Sequence, residues 1–485
     1  MNPRGNKRPV LQAHRAQVLR DEGGPRPSPP HLPCNVDAAV VVRVDAGHDR
    51  LARIAVALAD EGAELGEVTS VRAEDSHALR RLSLRTLDDA HTERVVGALR
   101  AIPGVAVLEV TDPVLDCHRG GKIAQRSRIA LRDNDDLRRV YTPGVARVAL
   151  TIRDAPAWAL ELTGIGNSVG IFTNGSRVLG LGDIGPLASM PVMEGKAVLY
   201  DELVGISATP ILVDTMEPGV FVQTVLQVAP SFAGIHLEDI QSPECFAIEE
   251  ALSQRLKRPV LHDDQHGTAT VVLAAVIRAC AMTGRRLATA CVGQVGLGAA
   301  GSAIALLAAR YGVGRVLVTD PSAAALDRVA HRGLQPVSLE TLLREADVII
   351  ATTGKPGLIP PELVRRGQVV LALSNPVPEI DPEVALAAGA ALAADGRSIN
   401  NALAFPGLFR GALQARSRTI TPEMLIAAAQ AIAGAASEGD LVPDLLNRGV
   451  HVAVAQAVER KAEEQGLRHT LVLDDRRTRG RASRR

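Results

Sequence analysis

The chain has no excess of either charge. Of 485 residues, 54 are Lys or Arg and 54 are Asp or Glu, so the formal net charge is zero. A chain balanced this way has no global attraction for nucleic acid or for an anionic membrane surface. It has no long apolar run either. No stretch reaches 18 consecutive apolar residues, which excludes an ordinary helical membrane span. Residues 1–34 are rich in Arg and Pro and lack an apolar segment, so no signal peptide is visible. The five cysteines (34, 117, 245, 280 and 291) are scattered and form no C-x-x-C pair. An odd, dispersed set argues against a disulfide framework or a zinc knuckle and for a reducing cytoplasm. Aromatic residues are only 2% of the chain, with three tyrosines (141, 200 and 311). Lysine is as sparse: six residues (7, 122, 196, 257, 355 and 461) against 48 arginines. A lysine kept in such a chain can mark a place where arginine will not serve, because only lysine readily changes its protonation.

What is present divides along the chain. At about 150 residues per domain, the length suggests roughly three domains. Residues 1–34 read as a disordered leader, too proline-rich and polar to offset the entropy of ordering. Residues 467–485 end in the solvated basic tail DRRTRGRASRR. Between 38 and 112 the periodicity alternates between 2 and 3.6, giving the order βαββαβ of a ferredoxin-like unit. With Gly66 following the first helix, residues 35–116 resemble the ACT regulatory domain, which implies a small effector. Residues 117–285 mix helical and extended segments, and residues 286–466 alternate strand and helix before closing in helices. The expected fold class is therefore α/β, with a Rossmann-type nucleotide domain at the C-terminal side.

Two sets of residues carry chemistry. The apolar strand LATACVG runs into Gly296-Leu297-Gly298-Ala299-Ala300-Gly301 and then a helical pattern. This is G-x-G-x-x-G between a strand and a helix, where glycines admit a pyrophosphate close to the backbone and the helix N-terminus faces it. Gly296, Gly298, Ala300 and Gly301 are thus candidate cofactor residues. Asp320 ends the next strand, RVLVTD, at the spacing that meets the adenosine ribose hydroxyl. A carboxylate there disfavours a 2′-phosphate, so NAD is preferred; nearby Arg328 keeps NADP open. The second set is acidic. His236-Leu237-Glu238-Asp239 and His262-Asp263-Asp264 each put carboxylates at the end of an apolar segment. Clustered carboxylates suit a hard divalent cation, Mg²⁺ or Mn²⁺. Lys196 in EGKAVLY and Tyr141 in YTPGVA complete a plausible acid–base set, since a lysine beside a bound cation holds its proton less tightly.

At these residues the chain resembles malic enzyme, in its short bacterial form. The similar stretches are YTPGVA, SRVLGLGDIGPLASMPVMEGKAVLY, HLEDI, LHDDQHGTA, GLGAAGSA, LALSNPVPEI and INNALAFPGLFRGAL, spread over about residues 117–465. The resemblance implies a malic enzyme N-terminal catalytic domain over 117–285 and a NAD-binding domain over 286–466. It implies oxidation of L-malate at C2, then decarboxylation to pyruvate and CO2. Lys196 would take the C2-hydroxyl proton, Tyr141 would protonate C3, and Asp263 would tune Lys196 or assist as a base. Glu238, Asp239 and Asp264 would hold the metal. Arg177, Asn375 and Asn401 would bind substrate, with Asn375 also at the cofactor. It implies a homodimer or larger homo-oligomer. Two departures stand out: Asn174 in TNG where TDG is usual, and Met190 where a lysine is frequent. Malolactic decarboxylation to lactate needs nearly the same motifs, and a vestigial metabolite sensor is the reading from another class.

Overall fold

Apolar alternation in AAVVVRV puts Val40, Val42 and Val44 on one face of a strand, β1 (Val36–Asp45), and buries all three. In this computed structural model, which describes residues 36–467 apart from 48, 75, 179 and 331, β1 is the centre of an antiparallel sheet. The expected leader and basic tail lie outside the described residues. β2 (Glu64–Ala73), β3 (His77–Thr86) and β4 (Val105–Thr111) complete the sheet in the order β2-β3-β1-β4. Helices Arg50–Asp60 and Asp89–Arg100 bury Ile54, Leu58, Val95 and Leu99 against Val40, Val42, Leu82 and Leu84. Asp88 caps the second helix, its carboxylate accepting the His91 N–H at 2.6 Å. The βαββαβ order is the one read from the sequence. This unit ends at Asp116, and a second compact unit begins at Cys117.

The second unit holds two parallel sheets. One has the order β6-β5-β7-β8, from β5 (Ser168–Thr173), β6 (Ser207–Leu212), β7 (Gly234–Leu237) and β8 (Val260–His262). The other runs β11-β10-β9-β12-β13-β14, from β9 (Cys291–Val295), β10 (Arg315–Thr319), β11 (Gln335–Pro336), β12 (Val348–Ala351), β13 (Val369–Ala372) and β14 (Leu392–Asp395). Counted within its own domain, the second order is 3-2-1-4-5-6, the doubly wound nucleotide-binding arrangement. Its four central strands were legible as Val- and Ile-rich runs. β14 was not, because LAAD carries no β-branched residue.

The helix Thr268–Met282 joins the two sheets' cores and is buried along most of its length. Helix Phe405–Gln414 lies flush against helix Arg448–Glu464. A Cβ on Gly407 would fall 2.6 Å from Val454 Cγ1, and one on Gly411 2.3 Å from the Ala455 carbonyl oxygen. That close approach pins Phe405 and Phe409 inward, both fully buried. By contrast, helices Asn134–Val140 and Val145–Asp154 bury no residue. No helix among the described residues is long and apolar enough to cross a membrane.

Candidate active site

Ligands of open parallel sheets sit at the carboxyl ends of the strands. Here β7 and β8 are hydrogen-bonded neighbours, and each runs directly into acidic residues: Glu238-Asp239 after β7, Asp263-Asp264 after β8. Asp239 turns in the left-handed region, φ 54°, which a short polar side chain tolerates. The turn lets its N–H donate to Asp264 Oδ2 at 2.9 Å, while its carbonyl accepts from the Arg177 N–H at 3.1 Å. Asp263–Gly267 forms a single wide π-type turn. A Cβ on Gly267 would lie 1.7 Å from Asp263 Oδ1, so only glycine lets the Asp263 carboxylate rest there.

Lys196 comes from the helix Gly185–Val204, whose buried face carries Met193, Ala197 and Tyr200. Its Nζ donates to Asp263 Oδ2 at 2.6 Å and to Asn401 Oδ1 at 3.3 Å, and stands 3.1 Å from Glu238 Oε1. It also lies 4.6 Å above the Phe405 ring. Burial works against the ammonium, but Asp263 and Glu238 win and hold Lys196 above its ordinary value. The expectation of a lysine base near neutral pH refers to a lysine with a divalent cation beside it.

The carboxylates are strained in the opposite sense. Burial raises Asp263 to about 6 and Glu238 to about 7. Burial, with repulsion from Glu238 and Asp264, raises Asp239 to about 9. Asp239 Oδ2 and Asp263 Oδ1 are buried without a hydrogen-bond partner. Leaving a buried acceptor unpaired costs about 1–3 kcal/mol, more when it is charged. Single oxygens of Glu238, Asp239 and Asp264 lie within 4.8 Å of one another. A hard divalent cation fits this all-oxygen set and would satisfy the orphaned Asp239 oxygen. A second grouping, His236 with Glu238 and Asp263, fits less well. There both imidazole nitrogens and Asp263 Oδ2 already have partners.

Of the predicted residues, Lys196, Asp263, Glu238, Asp239, Asp264 and Asn401 come together. Three do not join them by any side-chain hydrogen bond among the described residues. Tyr141 is 67% exposed, at the end of a helix that buries nothing. Arg177 touches the acidic turn only through its backbone and points its side chain to solvent. Asn375 is half-buried in the loop after β13, its Nδ2 2.6 Å from where a Gly396 Cβ would be. Asn174 is buried and satisfied: it donates to the Thr215 carbonyl at 3.1 Å and accepts from Ser176 Oγ at 2.7 Å.

The glycine-rich turn follows β9 as expected. Gly296 has φ 88°, and a Cβ on Gly301 would lie 1.9 Å from the Gly296 carbonyl oxygen. Around Gly298, the N-cap of helix Ala299–Tyr311, space is open, the cradle a pyrophosphate needs. Ala300 lies in the first turn of that helix and packs on the core. Asp320 Oδ2 accepts the Leu297 N–H at 2.7 Å, so this residue also shapes the turn. Arg328 donates to the Leu297 carbonyl at 3.2 Å, placing a cation beside the same turn.

Sequence reasoning missed Tyr200 and His236. Tyr200 Oη lies 2.9 Å from His236 Nδ1, and His236 Nε2 lies 2.5 Å from Glu238 Oε2. Tyr200 is four residues after Lys196 in one helix, and His236 lies in β7 two residues before Glu238, which follows the strand end, so the spacing itself put each on a functional face.

Three comparisons bear on this geometry. The family model for the malic enzyme N-terminal domain matches residues 121–219, and that for the malic enzyme NAD-binding domain matches residues 323–463. A NAD-binding domain model from D-isomer specific 2-hydroxyacid dehydrogenases matches residues 262–355. NAD-dependent malic enzyme 1 of Bacillus subtilis is 51% identical, over 85% of this chain and 94% of that protein. That share exceeds what residues 117–485 alone could supply, so the match reaches into the first unit. The bifunctional malic/malolactic enzyme of the same organism is 38% identical, over 73% of this chain and 92% of its own. The crystal structure of malic enzyme from Pyrococcus horikoshii is 41% identical with a TM-score of 0.68, covering 73% of this chain and 89% of that one.

Proposed function

The chain belongs to the malic enzyme family, and from that premise we propose how its own residues carry out the oxidative decarboxylation of L-malate to pyruvate and CO2 with NAD. The observation that carries the reading is the Lys196 ammonium held 2.6 Å from Asp263 and 3.1 Å from Glu238. A proton-transfer group and a metal-ligand carboxylate thus share one buried cluster. Glu238, Asp239 and Asp264 would hold the cation, which when bound supplies an electron sink for C–C cleavage and offsets the charge that keeps Lys196 protonated. The Gly296–Gly301 turn would hold NAD, which would supply the hydride acceptor. Lys196 takes the C2-hydroxyl proton, and Asp263 fixes where its Nζ points. Asn401 shares Nζ with Asp263 and faces the same space. Arg177 and Asn375 would bind the substrate carboxylates or hydroxyl. Tyr141 returns a proton to C3.

Tyr141 shares its surface with exposed Leu137, Val140, Val145 and Leu150. An apolar face of this kind supports a homo-oligomer in which a second copy covers it and the tyrosine's surroundings are completed. Residues 35–116 serve as an ACT-type regulatory domain. A cavity of about 190 Å³ beside Asp45, Arg50, Glu74, His77 and Arg80 supports a small charged effector there.

The test is product analysis with L-malate and Mn²⁺, using NAD and NADP in separate reactions. Pyruvate formed together with NADH is the expected result. Lactate without net NADH would replace it with the malolactic reading, which the bifunctional relative keeps in play. Comparing the NAD and NADP rates tests the Asp320 argument.

A further inference from the structure

Three of the chain's ten aromatic side chains, Tyr200, Phe405 and Phe409, surround one buried imidazole, His236. The His236 ring stacks on Phe409 at 5.9 Å and 29° and meets the edge of Phe405 at 5.3 Å and 84°. Tyr200 packs on the same two rings, 4.9 Å from Phe405 and 5.8 Å from Phe409. All four rings are fully buried. Both its nitrogens have single partners: Tyr200 Oη at Nδ1, 2.9 Å, and Glu238 Oε2 at Nε2, 2.5 Å.

The direction of these bonds follows from counting hydrogens. The Tyr200 hydroxyl has no other hydrogen-bond partner among the described residues. If it accepted from Nδ1, its own hydrogen would be buried without an acceptor, which costs about 1–3 kcal/mol. It therefore donates, Nδ1 accepts, and the neutral ring carries its hydrogen on Nε2. Nε2–H then donates to Glu238 Oε2. The carboxylate can no longer rotate about its last bond, and Oε1 is left facing Lys196 at 3.1 Å.

We propose that Tyr200 and His236 are positioning residues: a two-link clamp that holds one oxygen of Glu238, orients the carboxylate, and thereby sets the affinity of the acidic cluster for a divalent cation. The proposal rests on the reading of Glu238 as a metal ligand. The work of Tyr200 and His236 is to spare Glu238 the cost of ordering when the cation arrives, as outer partners of metal ligands do elsewhere.

The experiment is a Mn²⁺ titration of the full chain, without malate or NAD, followed by the electron paramagnetic resonance signal of free Mn²⁺. Circular dichroism checks the fold of each variant. His236→Leu removes the donor and is expected to weaken Mn²⁺ binding by about 10- to 100-fold. Tyr200→Phe keeps the ring, loses only the hydroxyl, and is expected to weaken binding about fivefold. His236→Gln keeps an N–H donor at the position of Nε2 and is expected to stay within about threefold of wild type. A folded His236→Leu that binds like wild type overturns the proposal. Should that variant not fold, a Tyr200→Phe protein that binds like wild type does so. A His236→Gln protein as weak as His236→Leu overturns it too, because packing rather than the hydrogen bond would then matter. Glu238→Gln separates the two readings. If it also binds like wild type, the ligand assignment fails; if it alone loses Mn²⁺, only the clamp fails.

Discussion

At Lys196 two requirements collide. In the proposed reaction the side chain releases and regains a proton, yet Asp263 and Glu238 hold its ammonium in place. Lysine can meet both demands once the surrounding negative charge is offset; arginine cannot, since its guanidinium does not deprotonate. Lys196→Arg keeps the charge and loses the base, and kcat for NAD reduction at saturating malate is expected to fall by about 10²–10⁴-fold. A variant that kept wild-type turnover would remove Lys196 from the role of base. The acids titrate with the opposite consequence. Glu238, near 7, and Asp239, near 9, have folded values above their unfolded ones. Their contribution to stability is complete in acid and is lost as pH rises through those values. Burial pushes His236 down to about 4, which acts the other way only below its ordinary value, so the window to examine is pH 7–9. The melting temperature of the metal-free protein is expected to fall across that window, and Mn²⁺ to raise it more at pH 9 than at pH 7. Asp239→Asn should flatten the fall; an unchanged slope would place the titration elsewhere.

Elements matter because each delivers its residues at a fixed spacing. The ends of β7 and β8 set two acidic pairs side by side, and the π-type turn after β8 swings Asp263 toward Lys196. That turn depends on Gly267, which has ordinary helical φ but no space for a methyl group. Gly267→Ala is expected to push Asp263 off Lys196 and lower kcat by about tenfold or more while the fold persists, a change measured by turnover beside a melting curve. Retained activity would mean that the Asp263–Lys196 contact is dispensable. Helix Phe405–Gln414 owes its depth to Gly407 and Gly411, and that depth is what brings Phe405 under the Lys196 ammonium.

At the scale of the whole molecule, residues 117–166 carry an exposed apolar face. Leu137, Val140, Val145, Leu150 and Leu162 are all exposed there, beside Tyr141. A second copy burying this face would lose it again if charge were introduced. Wild-type protein is expected to sediment as a dimer or larger at micromolar concentration. Leu137→Asp with Val140→Asp should shift it to a smaller species with reduced malate oxidation, because Tyr141 is carried by the same surface. A wild-type monomer with full activity would defeat both expectations.

Local signals were enough for much of this protein. The strand-to-helix glycine turn, the Val- and Ile-rich parallel strands, the βαββαβ order and the two acidic strand ends follow from short-range periodicity and from chemistry that tolerates few residue types. Six of the predicted site residues, Lys196, Asp263, Glu238, Asp239, Asp264 and Asn401, do converge, through motifs lying as far as 205 positions apart. Tertiary packing decided the rest. It buried Lys196 beside Asp263 and Glu238, which hold its ammonium in place. It left Tyr141 and the Arg177 side chain outside the cluster, both exposed. It also assembled the aromatic box around His236 from two other, distant segments, where a hydrogen bond exists only once the chain has closed. Sequence spacing specifies which residues share a face; only the folded chain specifies which faces meet and what charge each must then bear.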